Sequence, residues 1–134
     1  MIEKVVCNQK IFAIIIRAEF RSDGIEFFTP GEFSQQLAYM NRPKGYVVEP
    51  HIHVHTDRKV NLTQEVLIVK SGKVRVDFFN DNQAFLESVV ISKGDVILLA
   101  CGGHGFEFLE PTEMIEVKQG PYTDQNDKVQ FPVT

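Results

Sequence analysis

The chain has no tryptophan, only two cysteines (Cys7 and Cys101), and little that repeats with the period of a helix. Each shortage excludes something. Two cysteines cannot build the multi-bridge framework of a small secreted domain. One disulfide between them is open in an oxidising compartment, but a reduced pair of small buried thiols is the expected state. The apolar run Ile11–Ile16 is closed by Arg17, far short of the roughly 20 residues a spanning helix needs. Glu3 and Lys4 precede it and no small-residue cleavage site follows, so nothing resembles a signal peptide and the cytoplasm is the expected compartment. Basic residues are also too few for a nucleic-acid surface, with 14 Lys and Arg against 18 Asp and Glu, a net charge of −4. Only Gly31–Asn41 has helical character, and Thr29-Pro30 stands just before it. Repeats, low-complexity stretches and linkers are all missing, so the 134 residues read as one domain.

What the sequence does have is a procession of short β-like runs. Hydrophobic residues make up 43% of the chain, and eleven Phe with three Tyr suit an all-β core in which rings pack between sheets. Ile11–Ala18 is Ile-rich and ends near the turn Arg21-Ser22-Asp23-Gly24. Tyr46–His55 alternates. Val66–Lys70 and Lys73–Phe79 flank Ser71-Gly72 and read as a hairpin. Asn80-Asp81-Asn82 is a turn before Ala84–Ile91, and Ser92-Lys93-Gly94-Asp95 is another before Val96–Cys101. His104–Leu109 and Glu113–Gln119 complete the series, and residues from Gly120 onward read as a tail or arm. This rhythm predicts a sandwich or barrel. Glu65–Val69 and Val96–Leu99 carry apolar residues on both faces, which requires cover on both sides. The N-terminal Ile-rich strand or a second subunit would supply it, and a homodimer is the expected state.

Four histidines occur in the chain, and three of them fall within His51-Ile52-His53-Val54-His55. Alternate residues of a strand share a face, about 7 Å apart along an extended chain, and strand twist can bring two rings onto one ion. The plain alternative is a polar strand face turned to solvent. Glu65 begins an otherwise apolar strand, where a carboxylate is costly unless paired, hydrogen-bonded or coordinated; otherwise it is an exposed strand start. His104 lies in Gly102-Gly103-His104-Gly105-Phe106, where small neighbours leave the ring room to point at something. Otherwise it is a satisfied core histidine.

Gly45, His51, His53, Glu65 and Gly72 together resemble the first motif of the cupins, and Gly94-Asp95, Val96–Leu99, Ala100, Gly102 and His104 resemble the second. The resemblance runs from about residue 45 to 119. It implies an all-β, single-domain cupin-type double-stranded β-helix, a jelly-roll barrel, over 1–134. It also implies His51, His53, Glu65 and His104 as ligands of a divalent metal, with His104 and Glu65 as catalytic groups. His51 is preferred to His55 because it keeps the five-residue spacing from Gly45. Fe, Mn, Ni, Co and Zn all suit three nitrogens and a carboxylate. Eleven residues separate His53 from Glu65 where the family has three or four, which predicts a longer loop at the barrel mouth. Ala100 stands where a Pro is usual, and Phe108 where an Asn is frequent.

Phe106 and Phe108 share the parity of His104 and are either core or an apolar wall for a small ligand, while Arg58 and Lys59 are a solvated loop tip or approach an anionic group from the long loop. Glu116 and Lys118 alternate with Ile115 and Val117 and are expected to point outward from an edge strand, with an inward pair as the alternative. Three functions follow. The first is a metal-dependent enzyme acting on a small polar, carbohydrate-like molecule. The second is a metal-free nucleotide-sugar isomerase or epimerase with a His base, since Gly103–Phe106 is faintly similar to a segment of those enzymes. The third is a non-catalytic module that binds a small ligand or metal.

Overall fold

The computed structural model describes residues 1–121 and 129–133, and these form ten β-strands and no helix. In chain order they are β1 (Ile2–Cys7), β2 (Lys10–Ile16), β3 (Gly24–Phe27), β4 (Ala38–Asn41), β5 (Glu65–Ser71), β6 (Lys73–Phe79), β7 (Phe85–Ser92), β8 (Val96–Leu99), β9 (Gly103–Phe108) and β10 (Glu113–Lys118). A five-stranded sheet has the order β1-β2-β8-β5-β10 and a three-stranded sheet the order β7-β6-β9, while β3 and β4 pair only with each other. Every pairing is antiparallel. The all-β expectation therefore holds, but among the described residues the two sheets do not close into a barrel.

Alternation in the strands builds the core. Leu67 and Val69 of β5 stand opposite Ile97 of β8 and Met114 of β10, while Ala13 and Ile15 of β2 stand opposite Leu99 and Ile97. They pack with Val74, Val76 and Phe78 of β6 and Ile91 of β7, all almost fully buried, in one cluster. A cluster of this kind is the main stabilising element of such a domain. On the other face of the large sheet, Ile14 and Leu98 are equally buried, so these strands are apolar on both sides as their composition implies.

Four expectations are corrected. The stretch across Gly72 is not a hairpin, because β5 and β6 belong to different sheets. Gly72 takes a positive φ of 95°, and a Cβ there would sit 2.4 Å from the Pro111 carbonyl oxygen, so the chain turns a corner that only glycine fits. Tyr46–His55 is not a strand: the whole connection from 42 to 64 is irregular. Its alternation meets no partner strand, and Pro50 removes a backbone donor in its middle. Gly31–Asn41 forms no helix. The Gln36 amide donates to the carbonyls of Pro30 and Phe33, holding a turn, and the end of the stretch pairs as β4. The fourth correction concerns Glu116 and Lys118 and belongs with the site below.

The Gly94-Asp95 turn has a structural role. Asp95 is buried, and its carboxylate accepts hydrogen bonds from Ala18 N–H (2.8 Å), Ser92 N–H (2.9 Å) and Arg17 Nη1 (3.0 Å). Arg17 also pairs with Glu3 and donates to the Val90 carbonyl. One carboxylate thus ties the end of β2 to the loop between the two sheets. The expected tail falls partly on residues 122–128 and 134, outside the described residues. Within the described part, Phe131 packs edge-on against Phe79, with centroids 5.2 Å apart. A Cβ on Gly103 would come within 3.1 Å of that Phe131 ring, so the glycine gives the ring its seat.

Candidate functional site

The fold brings two of the four expected ligands together. Glu65 opens β5 and faces inward with Leu67, at the end of the sandwich. His104 stands on β9 opposite Phe78, again on the inward face. Across the gap between the sheets, His104 Nε2 lies 3.9 Å from Glu65 Oε1. That separation is too long for a direct hydrogen bond. Two donors bound to one ion at roughly 2.0–2.2 Å lie about 2.8–3.6 Å apart in octahedral or tetrahedral geometry, so this pair stands slightly wider than a shared ion requires. Both side chains are mostly shielded, with 27% of His104 and 16% of Glu65 exposed, so the pair sits in a mouth and not on the open surface.

His51 and His53 stand elsewhere, exposed on the irregular 42–64 connection together with His55. The rings of His51 and His53 contact edge-on at 5.1 Å. His51 Nδ1 is 2.8 Å from the Glu49 carbonyl oxygen, so it carries the proton and Nε2 is the nitrogen left to accept or coordinate. Among the described residues, no group of three or more His, Cys, Asp or Glu side chains is placed to hold a metal ion. The structure thus supplies two converging donors, and two more on the connecting segment.

Of the expected pocket residues, Phe106 is half-buried, with its ring 5.5 Å from that of His104, and forms an apolar wall. Phe108 shares that face further along β9 but is more than half exposed. Arg58 is exposed on the connecting segment.

Glu116 and Lys118 were expected to face outward, and the strand register reverses this. Lys118 pairs directly with Glu65 and Glu116 with Leu67, and directly opposed residues of an antiparallel pair share a face. Both charges therefore lie on the inward face of β10, while Ile115 and Val117 point outward and are about half exposed. The alternation of β10 was visible in its sequence, but its phase depends on which residue meets Glu65. The end of β10 is pinned beside this rung: Gln64 N–H donates to Gln119 Oε1 and Gln119 Nε2 donates to Ser34 Oγ. Gln64, itself buried, accepts from Ser34 Oγ–H and Gln35 N–H.

Nearby, a cavity of about 450 Å³ opens between Phe33, Leu62, Gln64, Lys10, Lys59 and Cys101. Burial, and then the charge of Asp81, push the Cys101 thiol above its ordinary range, and it donates to the Ile11 carbonyl. It is a structural thiol and a poor nucleophile. Cys7 is free as well. No helix among the described residues is long and apolar enough to cross a membrane. Comparison with known protein families, with curated proteins and with solved structures finds no match.

Proposed function

We propose that this protein is a small cupin-type jelly roll whose open end binds a divalent metal and acts on a small polar molecule. The observation that carries the reading is the convergence of Glu65 and His104 from opposite sheets at 3.9 Å. The strand connectivity supports the fold. In β5–β10 the hairpin β6–β7 is flanked by β9, and β5 lies between β8 and β10, so the chain passes repeatedly from one sheet to the other. This nested pairing supports a jelly-roll reading in which no strand lies beside β9 or β10 among the described residues. The exposed connection from 42 to 64 carries His51 and His53, and on this reading it folds over the open end of the sandwich. That movement would bring His51 and His53 toward Glu65 and His104.

In that arrangement His51, His53, Glu65 and His104 hold the ion, with His55 the alternative to either of the first two. Iron, manganese, nickel, cobalt or zinc all suit the donor set. A bound ion would supply Lewis-acid polarisation of a substrate oxygen or activation of water. The chain's own residues would do the rest: Phe106 would exclude water from one wall, and Glu65 and His104, as ligands, would orient the ion toward the bound molecule. The substrate class is a small polar, carbohydrate-like molecule, and the cytoplasm is the proposed compartment. A second copy is the proposed partner, packing on the outward face of β10 where Ile115 and Val117 lie exposed beside half-buried Val66 and Ile68. The two other functions keep one observation each. The Glu65–His104 pair alone would serve metal-free acid–base chemistry on a nucleotide sugar, and the 450 Å³ cavity would serve a non-catalytic binding module.

Elemental analysis of protein purified without an affinity tag tests the metal reading. Close to one equivalent of a transition metal per chain is expected, falling at least tenfold in His104→Ala and Glu65→Gln. Less than a tenth of an equivalent, with no uptake on addition, overturns it.

A further inference from the structure

We propose that the cavity between the β1–β2 turn and the 59–64 stretch binds a small monocarboxylic acid with an apolar body, and that Lys59 receives its carboxylate. Neither Glu65 nor His104 lines this cavity, so the inference gives it a ligand class without resting on the metal reading.

The β1–β2 turn, the turn at 30–34, the 59–64 stretch and the end of β8 supply the walls. At about 450 Å³ the cavity falls within the roughly 300–1,000 Å³ of pockets that hold small organic molecules. Ile11, Phe33, Val60 and Leu62 form its apolar side. Val60 and Leu62 are about half exposed, so an apolar guest would remove their surface from water.

The polar groups in the walls are chiefly donors. Gln64 is only 5% exposed, and its Oε1 accepts from Ser34 Oγ–H and Gln35 N–H. Those two bonds fix the amide and leave Nε2 to donate, and no described residue accepts from it. Lys10 and Lys59 add two cations, and neither is in an ion pair among the described residues. Glu32 is the one acid in the lining. Lys10 also borders a smaller hollow that contains Asp81, which leaves Lys59 as the cation given to this cavity alone. The turn that carries Lys10 adds a sign of its own. Asn8 and Gln9 have positive φ of 51° and 66°, a hairpin turn in which glycine is usual at the second position. A glutamine is held there instead, and it lines the cavity.

Donors and cations call for a guest that accepts and carries negative charge, and the apolar side calls for a hydrocarbon body. A monocarboxylate meets both demands. A neutral apolar guest would leave the buried Nε2 unpaired.

Exposed loop lysines also serve solubility alone, and in that role Lys59 would not affect the affinity of small acids. The test titrates octanoate and 3-phenylpropionate, their neutral counterparts octanol and 3-phenylpropanol, and acetate into the full-length, metal-free chain. Calorimetry and amide NMR shifts report the binding. At least one acid is expected to bind about fivefold more tightly than its alcohol, the weight of one partly shielded ion pair. It should also outbind acetate, with shifts centred on Phe33, Lys59, Leu62 and Gln64. Which acid binds tells an aliphatic body from an aromatic one. Lys59→Met is expected to weaken the acid about fivefold and leave the alcohol and the Tm unchanged, while Lys59→Arg keeps the acid within about twofold. Leu62→Asn is expected to weaken acid and alcohol alike. If neither acid outbinds its alcohol and acetate, or Lys59→Met binds the acid as the parent does, the inference is overturned. Metal uptake measured on the same proteins keeps the two claims apart. Lys59-dependent acid binding without uptake defeats the metal reading alone, and uptake without it defeats this inference alone.

Discussion

Replacing Asp95 with Asn gives the sharpest stability prediction, because three donors converge on its buried carboxylate. Oδ1 accepts from Ala18 N–H, and Oδ2 accepts from Ser92 N–H and Arg17. An Asn amide keeps one acceptor oxygen and turns an NH2 group toward a donor at the other position. One buried backbone N–H is left unsatisfied, at about 1–3 kcal/mol, and the charge-assisted bond to Arg17 is lost or weakened, at about 1.5–3 kcal/mol. Together these give roughly 4 kcal/mol, a large part of the 5–15 kcal/mol typical of a whole domain. With about 2.1 cal/mol/K of unfolding entropy per residue, a chain of 134 residues has about 0.28 kcal/mol/K. The expected fall in Tm is therefore about 14 °C. Thermal unfolding followed by far-UV circular dichroism measures it, with Glu87→Gln, an exposed residue near the start of β7, as a control expected within about 0.5 kcal/mol of the parent. A fall of less than about 4 °C for Asp95→Asn would refute the assignment of Asp95 as the tie between the end of β2 and the β7–β8 loop.

Other consequences follow from the same structure. Gly72→Ala meets the Pro111 carbonyl and an unfavourable positive φ, and should cost about 3 kcal/mol in chemical denaturation, whereas Gly31→Ala, with open space around it, should be nearly neutral. Hydrogen bonds from Arg17 hold the Glu3 carboxyl below its ordinary value, and those from Arg75 do the same for Asp77. A depressed carboxylate contributes stability that is present above its unfolded pKa and is lost as pH falls through the folded one. Stability of the parent should therefore drop as the pH is lowered below the ordinary carboxylate range, and a Glu3→Gln, Asp77→Asn double variant should show a shallower drop in acid titrations of Tm. Ile115→Lys should shift a dimer toward monomer in light scattering at fixed concentration, and an unchanged mass would count against the outward face of β10 as the contact.

The sequence showed the strands better than their partners. Runs such as Val66–Lys70, Lys73–Phe79 and Ala84–Ile91 end at Gly, Asn or Asp turns that the structure keeps, because such turns are encoded locally: Gly94 has a φ of 87° and Gly72 one of 95°. Whether two neighbouring runs form a hairpin or cross between sheets is decided by packing far away, so β5 and β6 looked like a hairpin and are not. The same reason hid Lys118. Its alternation with Val117 was plain, but the inward phase was set only by pairing with Glu65, more than fifty residues earlier. Glu65 and His104 were legible because each is chemically out of place, a carboxylate at the head of an apolar strand and an imidazole among glycines. The row from His51 to His55 was legible as chemistry, but not as structure. Alternation gives a strand two faces without giving it a neighbour, and Pro50 interrupts the ladder it would need.

A cobalt(II) titration followed by visible d–d absorption tests the central claim most directly, since the band positions and intensities report the coordination number and geometry of the ion. The account predicts saturation at one equivalent per chain. It predicts that the spectrum is lost in His104→Ala and changes in a His51→Ala, His53→Ala double variant. A parent protein with no cobalt spectrum, or one whose spectrum is the same in His104→Ala, would contradict it.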